Sequence, residues 1–211
     1  MTSNPVPDSA IQAYPENVCI NVYNGSANER YVIGELPGTI SNGEKIFVVI
    51  GMNPSAADME KGDSTVNSLI RHYRELKDEN PAYVGWLLFN LYPERSTDLS
   101  ENDFKTKNLH QDNTEIIIKL LNGELEGYSY INSSYVPEIC LAYGSRENEQ
   151  LQEGRHRILT KLYEEFPEIS YFTYGDLNKN GSPQHPICSK WENRTELKLE
   201  PSVRIIKLEA N

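Results

Sequence analysis

Four turns carrying polar or conformationally special residues each follow an apolar run of the chain. Gly51-Met52-Asn53-Pro54-Ser55-Ala56-Ala57-Asp58 follows the run from Lys45 to Ile50, and Asn90 closes Trp86-Leu87-Leu88-Phe89. Gly144-Ser145-Arg146 follows the run from Glu138 to Tyr143, and Gly181-Ser182-Pro183-Gln184-His185-Pro186 comes after the run from Ser170 to Tyr174. Asn53 sits between a glycine and a proline and offers an amide that both donates and accepts hydrogen bonds; it serves either its own turn or a ligand. Asn90 ends an apolar strand, where an unsatisfied amide costs about 1–3 kcal/mol. It must pair with neighbouring loops or with a ligand edge that matches its donor and acceptor, as a nucleobase edge does. His185 is a loop histidine between polar and proline residues, able to donate or accept a proton. Asp58 and Asp63 flank the Gly62 turn and either orient a water or cap a helix.

Other chemistries find no support in the spacing. His72, His110, His156 and His185 show no metal-ligand pattern, and Cys19, Cys140 and Cys188 form no CxxC pair, so neither a metal nor a cofactor is expected. No GxxxxGK[ST] or GxGxxG is present. Arg155, Arg157 and Lys161 read as a solvated helix face.

The elements that position these turns follow from hydrophobic patterning. Strands are expected over Arg30 to Leu36, Lys45 to Ile50, Val84 to Asn90, Glu138 to Tyr143, Ser170 to Tyr174 and Val203 to Leu208. Helices are expected from a cap at Ser64 or Thr65, from Asn113 to Leu121, and from Glu149 to Phe166; Ser100 with Asp103 reads as a capping box. Strands alternating with helices predict a three-layer α/β/α fold with a mainly parallel central sheet. The four turns then share the rim at the carboxyl ends of the strands, where open α/β sheets bind ligands.

The 211 residues suit one domain, expected over 26–211 after a loose arm of residues 1–25. The longest apolar stretch, Ile46 to Met52, is far shorter than the ~20 residues of a membrane helix. The first ten residues do not read as a secretory signal, so a cytoplasmic location with reduced thiols is expected. The net charge of −11 argues against non-specific binding to duplex DNA. That excess is uneven: residues 1–150 hold 11 basic and 22 acidic side chains, whereas 151–211 hold nine of each. With Lys179, Lys190 and Arg194 near His185, the carboxyl-terminal segment is where a small anionic or base-containing ligand is most readily accepted.

The ordered set Asn53-Pro54-Ser55-Ala56-Ala57-Asp58, Asp63-Ser64-Thr65, Asn90-Leu91-Tyr92, Arg95-Ser96-Thr97, Gly144 and Gly181-Ser182-Pro183-Gln184-His185-Pro186 resembles DUF1643, a family of unknown function. A more distant resemblance is to the uracil-DNA glycosylase superfamily. It rests on Gly51-Met52-Asn53-Pro54, on Leu87-Leu88-Phe89-Asn90 and on His185-Pro186, in that order. This similarity implies a glycosylase-like fold and N-glycosidic hydrolysis. Asn53 would position a water, Asn90 would read the base edge, and His185 would stabilise charge on a base oxygen. Gly51, Pro54, Ser55, Phe89 and Tyr92 would complete the ligand site, with Phe89 or Tyr92 stacking on the base. Ile187-Cys188-Ser189 stand where superfamily enzymes carry Ser-Pro and an apolar wedge, which points to single-stranded, modified or free bases over duplex opening. Two functions follow: a glycosylase-like hydrolase of a base-containing ligand, and a non-enzymatic ligand- or partner-binding module on the same fold. Asp58 and Asp63 discriminate, since a carboxylate free to hold a water favours hydrolysis and two capping carboxylates favour binding.

Overall fold

A computed structural model describes residues 11–95, 109–128, 137–185, 191–200 and 204–208. The strands are β1 (Val22–Gly25), β2 (Arg30–Glu35), β3 (Lys45–Gly51), β4 (Tyr83–Asn90), β5 (Glu138–Leu141), β6 (Ser170–Tyr174), β7 (Arg194–Leu199) and β8 (Ile205–Lys207). The helices are α1 (Ser64–Glu79), α2 (Leu109–Leu121) and α3 (Glu149–Glu165). Helices α1 and α3 start where a side chain caps them. The Asp63 carboxylate caps α1 by accepting from the Val66 amide, one residue before the expected Ser64 or Thr65. Asn80, extended ahead of Pro81, ends it. Asn148 caps α3 through the Leu151 amide. The capping box at Ser100 and Asp103 lies outside the described residues.

All eight strands form one sheet in the order β1-β2-β4-β3-β5-β6-β7-β8. The expectation of a mainly parallel sheet is corrected. Three pairings are parallel, namely β4 with β3, β3 with β5 and β5 with β6, whereas the other four are antiparallel. The reason lies in the connections. β3, β4, β5 and β6 are joined through α1, α2 and α3, long enough to cross over, while the short links 26–29 and 200–204 fold β1 onto β2 and β8 onto β7; β2 and β7 flank the parallel strands in the antiparallel sense. β1 and β7 were not expected from the sequence. β7 did carry a signal, since Leu197 and Leu199 are buried and alternate with exposed residues.

The sheet divides two apolar clusters. Val66, Leu69, Ile70 and Tyr73 of α1 join Phe47, Val49, Trp86 and Leu88 on one side. Ile117 and Leu120 of α2 and Ile158, Leu159 and Leu162 of α3 join Val48, Ile50, Leu87 and Phe89 on the other. On the first side, the His72 ring stacks on Trp191 at 4.9 Å and meets Tyr174 edge-on at 4.6 Å. The segment before β1 is tied to the domain at Gln12, which exchanges backbone hydrogen bonds with Gly62.

Gly154, buried inside α3, lets the helix press against the loop after β4. A Cβ there would meet the Leu91 carbonyl oxygen well inside van der Waals contact. Helix propensity alone favours Gly154→Ala by about 1 kcal/mol. A backbone clash outweighs it, so the variant should lose about 1–3 kcal/mol, read as a lowered midpoint in urea denaturation. An unchanged or higher midpoint would refute this packing.

Candidate functional site

The carboxyl ends of β3, β4, β5 and β6 gather the turns singled out in the sequence. The ladder between β3 and β4 continues beyond the strands, with Leu91 N–H donating to Gly51 O at 3.0 Å and Tyr92 N–H to Met52 O at 3.2 Å. On the other side, Ala142 N–H donates to Ile50 O at 2.9 Å. A Cβ placed on Gly144 would stand 3.3 Å from Met52 Cε and 3.4 Å from His185 Cβ. The loops after β3, β5 and β6 therefore meet at Gly144, where the crossovers after the neighbouring strands β3 and β5 leave for opposite sides of the sheet, through α1 and α3. An open sheet binds ligands at such a divergence.

Asn90 is the buried polar residue of this rim, 2% exposed. A Cβ on Gly51 would stand 3.0 Å from its Oδ1, so the close approach of the side chain to β3 uses the missing side chain of Gly51. Its Nδ2 has no hydrogen-bond partner among the described residues. From below, the backbone carbonyl of Asn90 accepts from Asn113 Nδ2 at 2.9 Å, so α2 holds the strand end in place. Asn53 Nδ2 donates to the carbonyl of its neighbour Pro54 at 3.2 Å. Burial pushes the His185 imidazole below its ordinary value of 6.5, with the Asp63 carboxylate partly offsetting, so the ring is neutral at neutral pH.

The remaining expected residues fall in different places. Leu88 lies on the α1 side of the sheet, and the pleat sends Asn90 the same way. Phe89 and Tyr92 are fully buried in the opposite cluster, where the Tyr92 ring rests 4.9 Å from His110. Ser55 Oγ donates to Asp63 Oδ2 at 2.6 Å. Asp58 Oδ1 accepts from the backbone of Glu60 and Lys61 at 2.8 and 2.9 Å, a turn of its own segment. Asp63 accepts from Ser55 Oγ, from Ala57 N–H at 3.1 Å and from Val66 N–H at 2.8 Å. Asp63 thus serves as the cap of α1, and Asp58 closes a turn of its own loop through Oδ1. Pro186 and Cys188 lie outside the described residues, as does Lys190; Arg194 is taken by Glu138 and Glu196.

Besides Asp63, the β3 loop is held by Arg30 and Tyr14, which the sequence did not single out, and by Arg95, which appeared in the sequence only as part of the family resemblance. Arg30, 2% exposed, donates from Nη1 to Ala57 O at 2.9 Å. Arg95, also buried, donates from Nη1 to Ser55 O and Ala56 O at 3.3 and 3.1 Å and from Nη2 to Tyr23 Oη at 2.6 Å. Tyr14 Oη donates to Asp58 O at 2.5 Å. Two guanidinium groups thus hold successive carbonyls of residues 55–57 while Asp63 holds the Ala57 amide. Burial lowers the Arg30 guanidinium to about 10, against the raising charge of Asp63, and it stays charged at neutral pH. Burial alone would raise the Asp63 carboxyl, yet the Arg30 charge and its three donors bring it below the ordinary 3.8. No local pattern reveals the role of Arg30 or Arg95, because their partners lie 27 to 72 positions away.

These features define an α/β protein with a mixed sheet whose rim carries a buried, hydrogen-bonded polar loop beside an underused amide. The chain belongs to the family DUF1643, a protein family of unknown function, whose model matches residues 30–187. No curated protein and no solved structure matches the chain. Among the described residues no group of three or more His, Cys, Asp or Glu is placed to hold a metal ion, and no helix is long and apolar enough to cross a membrane.

A carboxylate with a depressed folded value stabilises the fold above its unfolded value and loses that contribution as pH falls through the folded value. Wild-type stability should therefore drop below about pH 4, on a limb that Asp63→Asn flattens. At neutral pH the variant loses the charge assistance to its bonds from Ser55, Ala57 and Val66 and should lose about 1–3 kcal/mol. Urea denaturation from pH 3 to 7 reads both effects, and a variant with the wild-type acid limb would exclude Asp63 as its origin.

Proposed function

We propose that the rim around Asn53, Asn90 and His185 recognises a base-containing ligand. The observation that carries this reading is the Asn90 amide, buried at the carboxyl end of a central strand with its Nδ2 donor unpaired among the described residues. Such a donor is costly unless something completes it. A planar ligand with a carbonyl acceptor, such as a pyrimidine or purine edge, fits that requirement. The neutral His185 ring supplies a second polar contact across Gly144.

The chemistry that suits this arrangement is glycosylase-like N-glycosidic hydrolysis. Asn53 would orient a water, and the His185 ring would donate to the oxygen of the departing base, whose negative charge develops as the bond to the sugar breaks. Asparagine has no titrating group, so such a reaction relies on position and charge stabilisation, without a general base. The second reading, a non-enzymatic binding module, is favoured by the engagement of Asp58 and Asp63 with backbone amides. Both readings share the same ligand class, and both fit a protein whose −11 charge disfavours loose attachment to duplex DNA.

Free nucleobases and nucleosides should raise the melting temperature of the wild-type protein. Asn90→Ala should weaken binding about 10–100-fold, the worth of one buried amide contact, with little change in the melting temperature of the free protein. Base release from nucleosides and from single- and double-stranded DNA containing uracil or mismatches separates the two readings. A hydrolase should lose about 100-fold in rate in His185→Ala. A binding module releases no base, and the absence of any thermal shift or release would refute the base-binding site.

A further inference from the structure

A cavity of about 530 Å³ opens on the α3 side of the same rim. Its walls include Tyr143 after β5, Arg155 on α3, Lys179 and Ser182 from the loop after β6, and Arg204 before β8. Three of these side chains are cations and no Asp or Glu lines the cavity, in a chain with 31 acidic and 20 basic residues. Arg157 and Lys161, expected like Arg155 to cover a solvated face, do pair along the helix, with Glu153 at 2.5 Å and Glu164 at 2.7 Å. Arg155 differs: its nearest acid, Glu147, stands 3.9 Å away. Lys179 and Arg204 make no ion pair among the described residues.

Tyr143 supplies a second and independent observation. It is 3% exposed, and its hydroxyl has no hydrogen-bond partner among the described residues. Burial raises its value, with the Arg155 charge opposing, so the hydroxyl keeps its proton and can donate. The loop that brings the cations together is rigidly bonded. Asn178 Nδ2 donates to Ser182 O at 3.1 Å and Pro183 O at 3.0 Å, and Ser182 Oγ donates to Asn180 Oδ1 at 2.7 Å. Asn180 Nδ2 in turn reaches Ser145 O at 3.4 Å and Glu147 Oε1 at 3.3 Å, which ties the loop to the one after β5.

The geometry points to a phosphate-binding site in this cavity, with Arg155, Lys179 and Arg204 as counter-charges and Tyr143 Oη as a neutral donor. Guanidinium and ammonium groups around a walled donor match the tetrahedral oxygens and double charge of a phosphoryl group. The site adjoins the base-binding rim: Gly144 directly follows Tyr143 and touches His185, and Ser182 lies three residues before His185. The phosphate site stands on its own observations. Where it also rests on the base-binding reading, it narrows that ligand from a free base to a phosphorylated one, a nucleotide or a nucleic-acid end.

Titration calorimetry with inorganic pyrophosphate at low salt tests the site without any base. The wild-type protein should bind it, the double variant Arg155→Gln with Lys179→Gln should bind at least about tenfold more weakly, and Tyr143→Phe about threefold more weakly with an unchanged melting temperature. Asn90→Ala should bind pyrophosphate as the wild type does. Absence of pyrophosphate binding, or equal binding by the double variant, overturns the proposal. Parallel titrations with a nucleoside, its triphosphate and a short oligonucleotide of the same base identify the source of the phosphate. Pyrophosphate binding without any advantage for the base-containing ligands leaves the phosphate site standing and removes the base reading; nucleoside binding without pyrophosphate binding does the reverse.

Discussion

A buried guanidinium and a buried carboxylate gripping one short segment are the constraint on which the rim depends. Arg30 enters at the first position of β2 and Asp63 precedes α1, so the pair links the antiparallel side of the sheet to the helix on its α1 face. They hold opposite groups of one short segment, Arg30 the carbonyl of Ala57 and Asp63 its amide. A loop at the end of a strand would ordinarily be mobile and solvated. Here its polar backbone is satisfied from inside the protein by Arg30, Arg95 and Asp63, which carries residues 53–58 over the strand ends in one conformation. Taking two guanidinium groups out of water is expensive, and the cost is tolerable because each is directed at carbonyls that would otherwise also be buried unpaired.

That arrangement explains why the rim is polar on one side and charged on the other. Asp63 is taken by the cap and the β3 loop and Asp58 Oδ1 by its own turn, and the α1 side carries amides and a neutral imidazole. On the α3 side Arg155, Lys179 and Arg204 line a cavity that no acid among the described residues lines. The boundary between the two regions is Gly144, with Met52 and His185 packed on it. The ligand proposed above would meet, across that boundary, hydrogen-bonding groups first and positive charge next. Opposite ends of the parallel strands differ in kind: Glu138, at the start of β5, is closed off by Lys45 at 2.6 Å, Tyr83 Oη at 2.8 Å and Arg194 at 3.4 Å.

Much of this was legible in the chain. Strands β2 to β6 and helix α3 lie within a residue or two of where apolar runs and turn residues place them, because burial on both faces leaves a continuous apolar signature. α2 begins four residues earlier than its apolar pattern. The mixed character of the sheet was not legible. Whether a short strand such as Val22–Gly25 adds to an edge, and in which direction, depends on the length of its connection and on an open neighbour, neither of which shows in a local pattern. β7 was recoverable from the alternation of Leu197 and Leu199.

The site divides along the same line. Asn53, Asn90, Gly144 and His185 could be placed on one rim from their positions after strands, since strand ends in an α/β unit share an edge. Phe89 sits next to Asn90 in the chain yet faces the other core, because successive side chains of a strand alternate between faces, and Tyr92, past the end of β4, joins that core through the turn of the loop. Asp63 read equally well as a water-holder or a cap, and its three donors settle it as a cap. Arg30 and Tyr143 carry no local mark, and Arg95, quoted in the family resemblance, carries none of its role. Their roles arise from partners far along the chain, and a buried charge or an unpaired hydroxyl acquires meaning once packing has fixed what surrounds it. Residue chemistry and its order along the chain were therefore written in the sequence, while burial, facing and pairing came from the folded contacts, because those are properties of distances between segments that the order of residues does not contain.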